Sequence, residues 1–417
     1  MQQELEQRIN DIKSGNEIKL TGKIKFNINR SGSFTVGRLC VKGIIQIMRS
    51  DITINGEDAE IEVDVDDCTT SDWSLFFVHP MARNVQFNNL RIKVRIQNPE
   101  NTTRTFSLIY NTAYGLKLHN CQVEMYSDKQ INLVGIYNNG NLDTHMETRA
   151  DNLVIDNCLL KVECRANEFT KECAVYGVYN YLANSISMQN TFIYATNKGN
   201  GERQKAIGVY TNGRFGRFAG NNIKANASHN VGREKEQAYA FGFINEGLYS
   251  IISANNIVGE WAGMSVGLEN CGEYAIVAGN KILATHTICG RTIRNYGSNT
   301  SIEDNVLTST SRNARIIEQN SHNCIIGRNI MEVLMVQSEC RSGCGIYAIG
   351  ENCTENLICE NIIRNVADCA IFADGNVGSV SNNIVTSFKE TVKRAGTENQ
   401  YLVNKLDERN IRSIYEI

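Results

Sequence analysis

Apolar residues recur along this chain in short runs separated by Asn or Gly. One phrase returns throughout: Asn, any residue, then an apolar pair. It stands at Asn89-Leu90, Asn120 to Val123, Asn157 to Leu160, Asn190 to Ile193, Asn221 to Ile223, Asn255 to Val258 and Asn280 to Leu283. It continues at Asp304 to Leu307, Arg328 to Met331, Glu360 to Ile363 and Asn382 to Val385. Between these lies a second phrase, ending at Tyr137, Tyr179, Tyr210, Ile244 and Glu269, each two residues after a Gly. In the later part the period is about 22–34 residues, the length of a solenoid repeat. Short β-prone runs bounded by turn residues predict two or three strands per repeat. No repeat holds a helix-length amphipathic segment.

Rung phrases such as Ser381-Asn-Asn-Ile-Val385, repeated over roughly residues 38–387, resemble the right-handed parallel β-helix of the pectin-lyase-like superfamily, including its NosD-like repeats. The resemblance implies an all-β fold. Composition agrees with it: about fifty asparagines, far above ordinary usage, accompany only 2 prolines. Stacked rungs put like residues in ladders, and Asn suits both the left-handed turn and a hydrogen bond to the next rung. Pro would delete a ladder bond on a strand paired on both sides. The expected fold is therefore a single solenoid over 38–387, with residues 1–37 as an N-terminal cap and first strands and 388–417 as a short C-terminal capping tail. Gln2 to Ser14 reads as an amphipathic helix, with Leu5, Ile9 and Ile12 covering the first rung. A capped end hides the open core and the unpaired strand edges.

Rung alignment turns the repeats into columns. The inward column runs Phe76, Ile109, Ile136, Val178, Val209, Phe243, Leu268, Ile293, Ile317, Ile346 and Ile371. Strand alternation sends the following residue outward. That column reads Phe77, Tyr110, Tyr137, Tyr179, Tyr210, Ile244, Glu269, Arg294, Glu318, Tyr347, Phe372. By the same alternation Gly135, Gly177, Gly208, Gly242 and Gly267 share the outward face and leave room for a ligand. Aromatic rings suit sugar faces, so Tyr110, Tyr137, Tyr179, Tyr210 and Tyr347 are candidate substrate-binding residues. Glu269 and Glu318, two rungs apart, are candidates for an acid/base or nucleophile pair about 9–10 Å apart at Cα. Arg294 between them is placed to hold a carboxylate ionised, to bind an acidic sugar, or to act as the base of a β-elimination, as basic residues do in lyases of this superfamily. Asp304 is a further candidate carboxylate, or an Asp at an Asn-ladder position. An exposed ion-pair ladder and a self-stabilising Tyr stack are the plain structural readings of the same residues. Excursions at 138–151, 195–205 and 224–237 carry Asp143, His145, Glu147, Arg203, Lys205, Arg233 and Lys235 and are candidates to wall a groove.

Charge narrows the function. Lys+Arg 42 against Asp+Glu 45 in 417 residues gives a formal net charge of -3, which excludes a polyanion binder working by net charge. No stretch approaches a membrane span, and the N-terminal residues lack the profile of a secretion signal. The 14 cysteines, scattered through apolar runs, read as reduced core thiols in a cytoplasmic, bacterial-type protein, with no metal or cofactor implied. The paired Asp and Gly-His-Gly of polygalacturonases and the Asp-Pro-His-Asp of mannuronan epimerases are absent from the sequence. The expected function is a carbohydrate-active enzyme, of glycoside hydrolase or polysaccharide lyase type, acting on an oligo- or polysaccharide. The alternative is a non-catalytic glycan-binding or structural β-helix: a phage spike component, then a homo-trimer, or a polysaccharide-biosynthesis scaffold.

Overall fold

The structure is a computed structural model that describes residues 2–13, 15–28, 34–36, 39–57, 59–65, 72–97, 105–129, 131–140, 150–165, 172–199, 204–227, 238–285, 288–334, 342–366, 369–374, 377–387, 390–395 and 405–406. Among these residues the strands build three sheets of 13, 14 and 14 strands. Each coil supplies one strand to each in turn. Gln86–Asn88 enters a narrow sheet, Arg91–Ile96 a back sheet and Thr105–Asn111 a front sheet. Every strand then pairs in parallel with its counterpart one coil on; Lys117–His119, for example, follows Gln86–Asn88. The exception is Phe34–Val36, antiparallel to Leu39–Ile47. Crossovers between parallel strands wind right-handed, and the chain is a right-handed parallel β-helix.

The Asn phrase makes the corner between narrow and back sheets, and its two residues do different work. The first is left-handed, with φ near 55° at Asn89, Asn120, Asn382, Asp304 and Arg328 alike. The second points into the core. From Asn221 onward it is always Asn, and these side chains form a buried ladder through Asn255, Asn280, Asn305, Asn329, Asn361 and Asn383. Asn280 shows the pattern. Its backbone N–H and its Nδ2 both donate to Asn305 Oδ1, at 2.9 and 3.0 Å, and Nδ2 also donates to Ile252 O at 2.8 Å. A buried amide so fully paired avoids the penalty of an unsatisfied polar group and fixes the register of each coil on the next. A second interior ladder ends the front strands: Asn111, Asn138 and Asn180, then Asn245, Asn270 and Asn295.

The N-terminal helix, Gln2–Asp11, lays Leu5 and Ile9 on the open end of the core. It also pairs the strand edge beneath it: Glu6 accepts from Gln46 N at 3.1 Å, and Asn10 Nδ2 donates to Gln46 O at 2.8 Å. Stacking starts ahead of residue 38, because Glu17–Lys19 and Lys23–Ile28 already pair with the next coil. It also passes residue 387, because Glu390–Ala395 pairs with Cys369–Asp374. Cys121, Cys158, Cys164, Cys173, Cys324, Cys353 and Cys369 are buried thiols. Among the described residues no helix is long and apolar enough to cross a membrane.

Candidate functional site

The front sheet sets the register of the outward column. Phe77, Tyr110, Tyr137, Tyr179 and Tyr210 are partners on successive strands. Ile244, Glu269, Arg294, Glu318, Tyr347 and Phe372 continue the same line. The interior column from Phe76 to Ile371 is buried beside it.

The glycines do not share this outward face, which corrects the expectation from alternation. A Cβ on Gly177 would meet Ile193 Cγ2 at 2.2 Å, one on Gly208 would meet Ile223 Cγ2 at 2.3 Å, and one on Gly267 would meet Ile282 Cγ2 at 2.3 Å. Those isoleucines belong to the back sheet's interior, so glycine and the apolar residue after it both face inward. Period-two alternation is broken there, and the outward neighbour lies three residues before the column. That second outward column holds Val134, Tyr176, Ile207, Arg291 and Arg315, and its arginines complete the charged part of the site.

Five charged side chains interlock on this face. Arg294 Nη1 donates to Glu269 Oε2 at 2.8 Å, and its Nη2 donates to the Tyr296 hydroxyl. Arg294 Nε is buried without a hydrogen-bond partner. Arg291 Nε donates to Glu318 Oε2 at 2.5 Å and Arg315 Nη1 donates to the same oxygen at 3.2 Å. The two carboxyls answer differently. Burial pushes Glu269 above the ordinary carboxylate range, against the pull of Arg294, and the charges of Glu246 and Glu318 add to the rise. Burial acts upward on Glu318 as well, but Arg291, Arg315 and Arg294 outweigh it and hold that carboxyl low.

The tyrosines stack on one another. Tyr110 and Tyr137 lie 4.7 Å apart at 8°, and Tyr179 and Tyr210 lie 4.7 Å apart at 12°. Tyr347 is covered by Arg315 at 3.6 Å on its ring and by Phe372 at 5.3 Å. Ring faces turned to neighbouring rungs are closed to a sugar, so the ladder offers edges and hydroxyls in place of the expected platforms. Tyr110 is buried and accepts from Asn139 Nδ2 at 2.7 Å, while Tyr210 donates to Glu246 Oε2 at 2.5 Å. Beside the ladder a cavity of about 390 Å³ is lined by Asn132, Val134, Tyr137, Tyr176, Tyr179 and the Glu172–Lys205 ion pair, among others. Its volume falls within the range of small-ligand sites, though it is half open and more polar than most of them. Tyr176 was invisible to strict alternation, which assigns its position to the core.

Asp304 sits elsewhere. It is the left-handed residue of the narrow–back corner, next to ladder residue Asn305, and it takes both arms of Arg328 at 2.9 and 3.0 Å. The structure does not bring it to the front face. The excursion residues Asp143, His145, Glu147, Arg203, Arg233 and Lys235 lie outside the described residues.

No family model matches the chain, and no curated protein matches it. Solved structures do. The A-module of the mannuronan C-5 epimerase AlgE6 of Azotobacter vinelandii is 10% identical, with a TM-score of 0.37 over 84% of this chain and 91% of that one. The DFA-IIIase of Arthrobacter chlorophenolicus A6 is 12% identical, with a TM-score of 0.40 over 87% and 80%. A tailspike protein of Escherichia coli bacteriophage HK620, solved with a hexasaccharide, is 13% identical, with a TM-score of 0.34 over 91% and 71%. The likeness lies in the stacking of strands and goes no further.

Proposed function

We propose that the front face is a carbohydrate site and that the chain breaks or rearranges a glycosidic bond there. The observation that carries this reading is the split between two carboxyls of one column: Glu269 held toward its protonated form, Glu318 toward its ionised form. Environments that drive two acids apart assign the acid and the base of a glycosidase. Glu269 donates the proton to the leaving oxygen. Glu318 is the ionised carboxylate that activates water or stabilises the positive charge developing on the sugar. Two rungs separate them, about 9–10 Å at Cα; the lean of the side chains sets whether the carboxyls stand at the roughly 6.5–9.5 Å of an inverting pair or the roughly 5 Å of a retaining one. Arg294 orients Glu269, while Arg291 and Arg315 keep Glu318 charged. A glycan lying along the face meets Tyr210 first and then the cavity at Tyr176.

A second reading takes the same face as a non-catalytic glycan-binding or structural surface. The closed ion pairs and mutually covered rings favour it. Incubation with a glycan panel separates the two, reading new reducing ends and the ultraviolet absorbance of unsaturated products for the native chain, Glu269→Gln and Glu318→Gln. Reducing ends lost in both variants support the assignment, and unsaturated products point to lyase chemistry. Turnover that survives both substitutions removes the site, and binding without turnover leaves the second reading.

A further inference from the structure

Two thiols stand against each other near the C-terminal end of the front face. Cys344 and Cys369 are register partners on the successive strands Ser342–Ala348 and Cys369–Asp374. Their Sγ atoms are 3.3 Å apart and both residues are buried. In-register parallel strands hold partner Cα atoms about 4.8 Å apart, inside the roughly 4.4–6.8 Å range of disulfides. Both side chains leave the sheet on the same side. A bond of about 2.05 Å then needs the sulfurs to close by about 1.2 Å, a side-chain rotation without backbone movement.

The other inter-coil pair is arranged differently. Cys121 donates to Phe87 O and Cys158 to Asp156 O, and Cys158 Sγ accepts from Cys121 N at 3.4 Å. Those thiols also interact with each other, but each is in addition tied to a backbone carbonyl of the corner. At Cys344 and Cys369 the sulfurs address each other.

We propose that Cys344 and Cys369 are a dithiol–disulfide modification site that clips two coils together when the chain meets a low-molecular-weight disulfide. The Cys344 thiolate attacks one sulfur of that disulfide and expels one small thiolate, leaving a mixed disulfide. The Cys369 thiolate attacks Cys344 Sγ and expels the second. The protein loses two thiol protons and two electrons, and the small disulfide becomes two thiols. The clip ties the strand of Tyr347 to that of Phe372 directly beside Arg315 and Glu318.

The test uses the full chain and oxidised glutathione as the probe. After alkylation of remaining thiols, intact mass and non-reducing peptide mapping are read with and without prior oxidation. The expected product is one Cys344–Cys369 linked peptide pair, about 2 Da lighter than its reduced counterpart, with a higher melting temperature that dithiothreitol reverses. Cys344→Ser and Cys369→Ser each lose both the linked peptide and the shift. Either a stable glutathione adduct at Cys344, a bond to a different cysteine, or both thiols still alkylated in full after unfolding overturns the proposal.

Discussion

Arg294 reaches back one rung to Glu269, at 2.8 Å, while Glu318, one rung ahead of Arg294, is held by Arg291 and Arg315. The Glu-Arg-Glu column is therefore unsymmetrical. One carboxyl has a single guanidinium and a buried setting; the other has two guanidinium donors on one oxygen. That asymmetry is the physical content of the acid and base assignments.

It predicts a bell-shaped dependence of kcat/KM on pH. Glu318 must be ionised, so activity rises as pH climbs through a value below the ordinary carboxylate range. Glu269 must be protonated, so activity falls through a value above that range. Glu269→Gln removes the alkaline limb and lowers turnover about a hundred- to ten-thousand-fold. An unchanged pH profile in that variant would exclude Glu269 as the proton donor.

Stability carries its own pH signature. The folded Glu318 carboxyl sits below its unfolded value, about 4.3, so its contribution is present above that value and is lost as pH falls through the folded one. Glu318→Gln leaves Arg291 without its carboxylate partner. The expected loss at neutral pH is on the order of 2–3 kcal/mol, discounted from the roughly 3–5 of a fully buried pair for residual solvent. Urea midpoints measured from neutral pH downward should converge for the two proteins in acid.

Asp304→Asn is the matching control. Its partner Arg328 lies on the narrow–back corner and both side chains are half exposed. Turnover and melting temperature are expected to stay close to native. A large loss of turnover with unchanged melting would place Asp304 in the reaction and contradict its position in the fold.

Gly208→Ala should destabilise by about 1–3 kcal/mol, because the new methyl meets Ile223 Cγ2 at 2.3 Å and Gly242 O at 2.4 Å. Gly327→Ala, whose nearest neighbour would be 3.4 Å away, should be tolerated. Equal chemical-denaturation midpoints for the two would refute the inward orientation of the glycine column.

Asn280→Ala removes the acceptor that Asn255 uses for two donors, and three hydrogen bonds of its own side chain. Unfilled buried amides of this kind cost roughly 3 kcal/mol together. Thermal unfolding should show a marked fall, and a loss below about 1 kcal/mol would mean that water replaces the ladder.

The period of the sequence was enough to place every residue of the Tyr and Glu-Arg-Glu column, because stacking repeats one register for the length of the solenoid. It was not enough for the second outward column. Counting by twos sends Arg291, Arg315 and Tyr176 into the core, and the two consecutive inward residues at each glycine are a local break that no period shows. The signal was present in the residue types: arginine at two successive supposed core positions is a contradiction that only an outward turn resolves. The Asn phrase was legible as a corner but not as two roles, since Asn serves both the left-handed site and the ladder. Asp304 and Arg328 mark the difference, because both occupy the left-handed site while their neighbours Asn305 and Asn329 keep the ladder. The covering of one tyrosine face by the next follows from ring orientation, which sequence does not carry.

The Asn ladder also says which changes in length the molecule can accept. From Asn255 to Asn280, Asn305 and Asn329 the steps are 25, 25 and 24 residues, and each Asn makes the same bonds to its predecessor and successor. Removing or duplicating one such step joins an Asn to an equivalent Asn, with register, buried polarity and core contacts restored on both sides of the cut. The loops between strands take up other changes in length, since the same bond spans steps of 34, 32 and 22 residues elsewhere in the ladder, whereas a deletion inside the corner itself would strand an amide in the core. The chain is thus open to growth by recombination in whole coils, and each added coil lengthens the front face by one strand spacing, about 4.8 Å.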